Sequence, residues 1–198
     1  FAEHLAAHAE RPGPCCVIGF TGWHREKMRV TPFLDFVNGH GPQFSFDLLR
    51  DGQEVPFTTL YTSNVSIPRE ALGAEPFDHR FTSYGWEDCE LGWRLSKAGL
   101  PIVYRKAAAT RHVHPQTMSQ FLARQAHVGR AIDVLYEIHP ELEGSPWLPP
   151  RRGRFRHRAF SFVYRAAARV AAPLDLLGVR LPLRAYHGLV AWAFHSGR

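Results

Sequence analysis

The strongest periodic pattern in the chain is helical and lies in residues 87–98. Leu91, Leu95 and Ala98 recur at the spacing that places side chains on one face of a helix. Charged and polar residues take most of the other positions, and Gly99 follows as a good helix stop. The pattern therefore predicts a short amphipathic helix.

Three more helical segments follow from the same reasoning. Thr117 and Gln120 form a capping box, which predicts a long helix running to about Ile138. Residues 1–10 are rich in Ala and His and are typical of the end of a helix, and residues 31–38 predict another.

Short apolar runs bounded by Gly and Pro predict the strands. Residues 15–20 follow a Pro/Gly breaker and suit a buried strand, whereas residues 57–63 are β-branched and aromatic. Residues 101–104 and 108–113 predict two more strands. Ser66 is placed to cap a short helix that has a proline in its first turn.

The charge of the chain is concentrated at one end. Residues 151–198 contain ten arginines and one acid, Asp175, a net charge of +9, whereas residues 1–150 carry fourteen Lys and Arg against seventeen acids, a net charge of −3. The basic character therefore belongs to the C-terminal tail and not to the folded body.

The remaining bulk features bound the class of protein. With 198 residues, 45% of them hydrophobic, the chain suits one globular domain with an appendage. Cys15, Cys16 and Cys89 form no metal or redox motif, so we expect three reduced, mostly buried thiols in a reducing compartment. No apolar run approaches the length of about 18 residues that would suggest a spanning helix.

The candidate chemistry lies at the start of the predicted amphipathic helix. Glu87 and Asp88 occupy its first turn, where acids also complement the helix dipole by about 0.3–1 kcal/mol each. Glu90 adds a third acid, more than the dipole needs, and Gly85 and Trp86 give a flexible loop with a flat apolar face. This arrangement favours a functional site over simple helix stabilisation.

Such a site suits sugar transfer. A sugar hydroxyl is a poor nucleophile near neutral pH, and a carboxylate within hydrogen-bond reach can remove its proton as the new bond forms. An indole face can stack on a sugar ring, and a leaving nucleotide diphosphate needs a divalent cation held by oxygen ligands, to which a histidine can be added.

The order of motifs over about fifty residues resembles the C-terminal, acceptor-side half of inverting family 2 glycosyltransferases, including the galactosyltransferase C-terminal module. The resemblance implies an α/β fold, a partial, Rossmann-like GT-A glycosyltransferase domain, followed here by a helical, basic amphipathic tail. The residues that carry it are Asn64-Val65-Ser66 through Arg69, Phe77-Asp78, Phe81, Trp86-Glu87-Asp88, Glu90-Leu91-Gly92, Arg94-Leu95 and Gly99.

The resemblance also implies a role for each site residue. Asp88 would be the general base on the acceptor hydroxyl, and Glu87 would shape the acceptor pocket. Trp86 would be the platform under the acceptor, in one substrate-binding loop with Gly85, and Asn64 would line the cleft near the donor sugar.

A metal would be Mg²⁺ or Mn²⁺, held in the family mainly by an Asp-x-Asp motif that this sequence lacks. His112 or His114 falls where related enzymes place a late metal-ligating histidine, and both can share one face of a strand. Either could equally be structural. With the nucleotide-binding half expected before Phe1, we expect the chain to be a fragment without transferase activity of its own.

Another departure concerns the product. The Gln-x-x-Arg-Trp signature of processive synthases is missing, and the nearest run, Gln120 to Arg124, has the wrong spacing. The resemblance therefore implies addition of single sugars from a nucleotide-sugar donor to a glycan, lipid-linked or small-molecule acceptor, in bacterial cell-surface glycan or glycolipid synthesis.

The basic tail predicts a helix from Arg154 to Ala172. Arg154, Arg158, Arg165 and Arg169 fall within about 60° of one another on a helical wheel, and Phe162 belongs to the broad apolar side that borders them. This pattern is typical of a helix lying in a membrane interface, here the inner face of a cytoplasmic membrane. The apolar side could also pack on the body, or the arginines could be a solvated face, and no recognised module predicts nucleic-acid binding.

These features divide the chain into four segments. Residues 1–115 are expected to form the second half of the catalytic domain, with a long helix in residues 116–143 packed on it. Residues 144–153 are Pro-rich and suit a linker before the tail of residues 154–198.

Two other functions remain open from the sequence. A metal-dependent hydrolase could use Glu87, Asp88, His112 and His114, although it leaves the Asn64 block and the Gly85 loop unexplained. A non-catalytic membrane-docking or scaffold module derived from a transferase is the other alternative.

Overall fold

The computed structural model of the chain describes residues 1–150 and 161–197. It is a mixed α/β structure built on one four-stranded sheet, which confirms the predicted fold class at that level. The strands are β1 (Cys16–Trp23), β2 (Glu54–Val55), β3 (Val65–Ser66) and β4 (Ile102–His112). The helices are α1 (Ala2–Ala9), α2 (Pro32–Gly39), α3 (Arg69–Leu72), α4 (Glu87–Lys97), α5 (Met118–Ile138), α6 (Ser161–Leu176) and α7 (Leu183–Ser196).

The sheet has the strand order β2-β4-β1-β3 and mixes parallel and antiparallel pairs. β1 runs parallel to β4 and antiparallel to β3, and β2 runs antiparallel to β4. Nearly every residue of β1 is buried, as expected for a central strand. At Gly19 a Cβ atom would lie 1.9 Å from the carbonyl oxygen of Ala108, so β1 and β4 can approach this closely only with glycine there.

The helices with clear end signals are confirmed. α4 ends before Gly99, which has a φ of +86°, and α5 begins at the predicted capping box of Thr117 and Gln120 and ends at Ile138. The helices predicted in residues 1–10 and 31–38 are also present, the second with Thr31 as its N-cap. All three cysteines are buried and unpaired, as expected.

Three predictions of local structure are wrong. Residues 57–63 form two short 3-10 turns instead of a strand, because Phe57 and Leu60 pack into the core against α4. Residues 101–104 and 108–113 belong to one strand, β4, whose register with β1 shifts between Gly19 and Thr21. Ser66 lies in β3 and does not cap α3.

Helices α6 and α7 pack on the body of the protein. Tyr186, Leu189 and Ala193 of α7 are buried in a cluster with Phe33 of α2 and Phe121 of α5. The described part of the tail is therefore not a detached appendage, and its apolar residues divide between core and surface. Arg154 and Arg158 lie outside the described residues.

α5 and α7 pack against each other at small residues. A Cβ atom on Gly129 would lie 1.9 Å from the carbonyl oxygen of Phe194, and one on Gly197 would lie 1.8 Å from that of Ala126. Glycine thus lets the two backbones approach closely at the C-terminal end of α7. α7 is thereby held as one wall of the cleft described below.

The sole acid of the tail joins α6 to the body. Asp175 is fully buried, and its Oδ1 atom accepts a 2.7 Å hydrogen bond from the backbone N–H of Phe33 in the first turn of α2. A carboxylate in this position satisfies an N-terminal donor and complements the dipole of α2.

In the part of the chain that is described, no helix is both long enough and apolar enough to cross a membrane.

Candidate active site

A cleft of about 510 Å³ lies at the N-terminal end of α4, between the loop of residues 40–43 and helices α5 and α7. It brings together Gly85, Trp86, Glu87 and Asp88, four of the residues that the sequence singled out. The other polar and aromatic groups on its walls include Gln43, Tyr61, Tyr84, Arg124, Gln125, His187 and His195.

The loop before α4 owes its shape to two residues with positive φ. Gly85 has a φ of +120°, and a Cβ atom there would lie 3.2 Å from the side chain of Val128. Trp86 has a φ of +73°, in the left-handed region that non-glycine residues rarely adopt. This turn directs the backbone into α4 so that Trp86, Glu87 and Asp88 all border the cleft. Strained residues of this kind are concentrated at functional sites.

Trp86 is fixed by the two helices that form the back of the cleft. Its indole N–H donates a 2.8 Å hydrogen bond to the carbonyl oxygen of Val128 in α5, and its ring meets Phe194 of α7 edge to face, 6.4 Å between centroids. The side chain is half-buried and lines the cleft. An aromatic ring held this rigidly can serve as a stacking surface at low entropic cost.

Asp88 is held by a pair of hydrogen bonds from one residue. The hydroxyl of Thr62 donates to Oδ1 at 2.8 Å, and the backbone N–H of Thr62 donates to Oδ2 at 3.2 Å. Burial raises the pKa of the Asp88 carboxyl above its usual value, and the two Thr62 hydrogen bonds oppose that rise. A half-buried carboxylate with a raised pKa is a stronger base than an exposed one and has a fixed orientation.

The three acids of α4 have different surroundings. Glu87 borders the cleft, and its Oε2 atom accepts a 2.7 Å hydrogen bond from the backbone N–H of Gly85, which closes the loop. Glu90 is 1% exposed and points away from the cleft. It accepts two hydrogen bonds from Arg94, at 2.7 and 2.9 Å, and lies 3.0 Å from Nε2 of His139. Glu90 is therefore structural, which explains why the helix has more acids than its dipole needs.

The cationic wall of the cleft was not predicted from the sequence. Arg124 of α5 lies over the ring of Tyr84, 4.8 Å from its centroid, and donates a 2.7 Å hydrogen bond to the side chain of Gln43. Within residues 1–150 and 161–197 no carboxylate lies at ion-pair distance from Arg124. Burial raises the pKa of Tyr84, and the nearby acids Glu87 and Asp88 add to that rise while Arg124 opposes it. The cleft thus combines a base on one side with a cation on the other.

Asn64 lies away from this cleft, against the sheet. Its Nδ2 atom donates to the carbonyl oxygens of Phe20 at 3.0 Å and Ala108 at 2.7 Å, and its Oδ1 atom lies 2.9 Å from Nε2 of His4. These bonds join β1, β4 and α1 and use both ends of the amide. The role of Asn64 near a donor sugar stays a prediction, and its contacts here are structural.

His112 and His114 lie side by side at the end of β4, with ring centroids 5.5 Å apart. His112 is half-buried between Trp23 and Phe44, and burial together with the neighbouring His114 and Arg124 lowers its pKa, which favours the neutral form that binds metals. The described residues nevertheless contain no group of three or more His, Cys, Asp or Glu side chains that could hold a metal ion. The two histidines do not form a metal site by themselves, and metal binding stays a prediction.

Comparison with known proteins gives one group of relatives. Validoxylamine A glucosyltransferase of Streptomyces hygroscopicus subsp. jinggangensis (strain 5008) is 37% identical over 81 residues, which cover 38% of this chain and 19% of that protein. The enzyme of the same name from S. hygroscopicus subsp. limoneus is also 37% identical over 81 residues, which cover 38% of this chain and 17% of that protein. The chain is related to glycosyltransferases.

This relationship to glycosyltransferases is general. The matched segment spans about a fifth of the length of each curated relative. No family model matches the chain, and no solved structure matches it significantly. The four-stranded mixed sheet is compatible with an α/β glycosyltransferase-like domain.

Proposed function

We propose that this chain supplies the acceptor-binding and catalytic-base part of an inverting, nucleotide-sugar-dependent glycosyltransferase of family 2 with the GT-A fold. The observation that carries the proposal is the position of Asp88: a half-buried carboxylate, fixed by Thr62, at the edge of a cleft that also contains Trp86. The similarity to two glucosyltransferases supports the same reaction class. The acceptor would be a glycan, glycolipid or small molecule that offers a hydroxyl group.

In the proposed reaction an acceptor sugar stacks on Trp86 and places one hydroxyl within hydrogen-bond reach of Asp88. The acceptor oxygen attacks the anomeric carbon of the donor as its proton passes to the Asp88 carboxylate. The bond from the anomeric carbon to the nucleotide diphosphate breaks on the opposite face, so the configuration inverts. The leaving group takes the electron pair of that bond, and the proton on Asp88 is then lost to water.

Other groups of the cleft would position the acceptor. Glu87 can accept a hydrogen bond from a second hydroxyl without losing its bond to Gly85, since a carboxylate has several lone pairs. Arg124 retains unused N–H donors beyond its bond to Gln43 and can donate to acceptor or donor oxygens. A divalent cation, Mg²⁺ or Mn²⁺, stays part of the proposal for the whole enzyme, but the described residues do not hold a complete ligand set, and no step is derived through it.

The test of this proposal is the Asp88→Asn substitution in the longest natural protein that contains this chain. Nucleoside diphosphate release is measured for a panel of nucleotide sugars with candidate acceptors, and NMR gives the anomeric configuration of the product. Loss of a general base is expected to lower kcat by about 10²–10⁴-fold. Thermal stability should change little, because the loss of one of the two acceptor oxygens for Thr62 opposes the gain from removing a charge that burial disfavours.

Asp51→Asn is the matched control, because Asp51 is a half-exposed acid outside the cleft, 3.9 Å from Arg105. It should leave kcat close to the wild-type value. Near-normal turnover of Asp88→Asn would refute the base assignment, and retention of configuration in the product would refute the inverting mechanism.

The structure gives the hydrolase alternative no support. Its four proposed residues are divided between the cleft, which has Glu87 and Asp88, and the end of β4, which has His112 and His114. Zinc titration of the chain is the direct check, since tight stoichiometric binding would favour the hydrolase.

A further inference from the structure

The outer face of α6 leaves large apolar side chains in solvent. Phe162 is 82% exposed, Val163 59%, Val170 61% and Leu177, just after the helix, 78%. These four residues, together with the exposed Arg165 and Arg169, form the outer face of α6. A contiguous apolar surface of this kind on a helix is uncommon unless it binds something.

The orientation of this face is fixed by contacts on the opposite side of α6. Asp175 caps α2 through Phe33, and Ala171 is 4% exposed in the core. The ring of Tyr164 stacks on Trp192 of α7 with 6.2 Å between centroids and 12° between planes. A rotation that buried Phe162 would break all three contacts. The apolar residues therefore face outward as part of the folded structure.

The outer face combines apolar and cationic residues in a regular arrangement. At 100° per residue Arg165 and Arg169 lie within about 40° of each other, Phe162 follows at about 60° from Arg165, and Val170 and Val163 at about 140–160°. The arginines thus border one edge of an apolar strip. Their long side chains can extend sideways from such a strip while the apolar residues point directly outward.

The exposed charged side chains that the tail itself contributes around this face are all cationic. Asp175, the sole acid in residues 151–198, is fully buried, so the tail presents no carboxylate to solvent. Arg184 adds an exposed cation just after the turn between α6 and α7, whereas Arg180 pairs with Asp35 of α2 at 3.5 Å. A partner for this surface must therefore offer both an apolar phase and negative charge. A bilayer that contains anionic lipids offers both, whereas a nucleic acid would not bury Phe162 and the valines.

We propose that the outer face of α6 docks the protein onto an anionic membrane surface. Phe162, Val163 and Val170 enter the boundary between headgroups and acyl chains, and Arg165 and Arg169 contact lipid phosphates. The helix lies parallel to the bilayer and does not cross it. The proposal is independent of the transfer reaction, because lipid binding is measured without turnover.

The test is co-sedimentation of the chain with vesicles of phosphatidylcholine alone or mixed with phosphatidylglycerol. Binding is expected to the mixed vesicles and to weaken as salt is raised. Arg165→Ala/Arg169→Ala should weaken binding about thirty-fold, because each cation near an anionic surface contributes about a factor of five. Phe162→Ser/Val170→Ser should weaken it at least about ten-fold through loss of buried apolar area.

Matched variants on other surfaces separate a specific face from general charge or stickiness. Arg69→Ala/Arg130→Ala removes two exposed cations of the body, and Leu5→Ser/Leu48→Ser removes two leucines that are each 68% exposed. Both controls should bind vesicles within about two-fold of wild type. All four variants change exposed side chains and should keep the wild-type circular dichroism spectrum and melting temperature.

Two results would overturn the proposal. The first is a lipid-binding failure: wild type does not bind the mixed vesicles, or the outer-face variants bind them as well as the controls do. The other is concentration-dependent dimerisation in light scattering that Phe162→Ser/Val170→Ser abolishes, in the absence of vesicle binding. The second result would assign the face to a second copy of the chain.

Discussion

At the residue scale, opposing interactions control the protonation of Asp88. Burial raises its pKa, whereas the hydroxyl and backbone N–H of Thr62 stabilise the ionised form and lower it. The proposed reaction needs the ionised form. Thr62 should therefore influence the pH dependence of the reaction through the pKa of Asp88, without contacting the substrate.

The Thr62→Val substitution tests this relation. It removes the hydroxyl donor and keeps the backbone N–H, so the pKa of Asp88 should rise further and the acid limb of kcat/KM should move to higher pH. Activity should be lost at a higher pH than in wild type as the solution is acidified. A series of kcat/KM values against pH measures the shift. Thr62→Ser, which keeps the hydroxyl, should leave the limb in place, and a downward shift in Thr62→Val would contradict the assignment.

At the scale of elements, glycine determines how closely the helices approach. Gly129 of α5 and Gly197 face the carbonyl oxygens of α7 and α5 respectively, so the contact between these helices is made by backbone. Because α5 and α7 also form the back of the cleft and hold Trp86, their separation sets its width.

Gly129→Ala should separate α5 from α7, because its Cβ atom would lie 1.9 Å from the Phe194 carbonyl oxygen, which cannot move as a side chain can. Overpacking of this kind costs about 1–3 kcal/mol of unfolding free energy, measured by urea denaturation. Gly13→Ala is the control, since nothing lies within 4 Å of its Cβ position. A Gly129→Ala variant as stable as Gly13→Ala would show that the helices can shift without cost.

Predictions from sequence were correct for features that are determined by residues close together in the chain, such as the caps and stops of helices. The capping box of Thr117 fixes the start of α5 and the stop at Gly99 fixes the end of α4 by local hydrogen bonds, and the acidic pair directly follows Trp86 in the first turn of α4. The strand predicted in residues 57–63 failed because β-branched and aromatic residues fit a packed turn as well as a sheet. Arg124 could not be paired with Tyr84 in advance, since forty residues separate them and only tertiary packing brings them together.

At the scale of the whole molecule, one buried ionic network connects α4 to distant parts of the chain. Glu90 binds Arg94 within the helix and His139 after the end of α5, and Arg94 also donates to the carbonyl oxygen of Pro76. The network holds the helix that presents Asp88. The network anchors α4 on the side away from the cleft, and the contacts of Trp86 with α5 and α7 anchor its N-terminal end.

Arg94→Ala should destabilise the protein by about 3 kcal/mol, because it removes the main partner of a carboxylate that is 1% exposed. Arg80→Ala, which breaks an ion pair with Asp78 on the surface, should cost no more than about 1 kcal/mol. Thermal or denaturant unfolding of the two variants gives the comparison. Equal losses would show that Glu90 is compensated by His139 or by water.

The capping of α2 by Asp175 has a practical consequence for anyone who shortens this protein. The Pro-rich stretch before residue 150 is an inviting place to cut, and the sequence beyond it suggests a dispensable basic extension. A version ending there would lose the carboxylate that caps α2 and also α7, which closes the back of the cleft. The smallest stable unit should therefore extend through Gly197, which packs on the backbone of Ala126 in α5, and a version without the tail should be less stable.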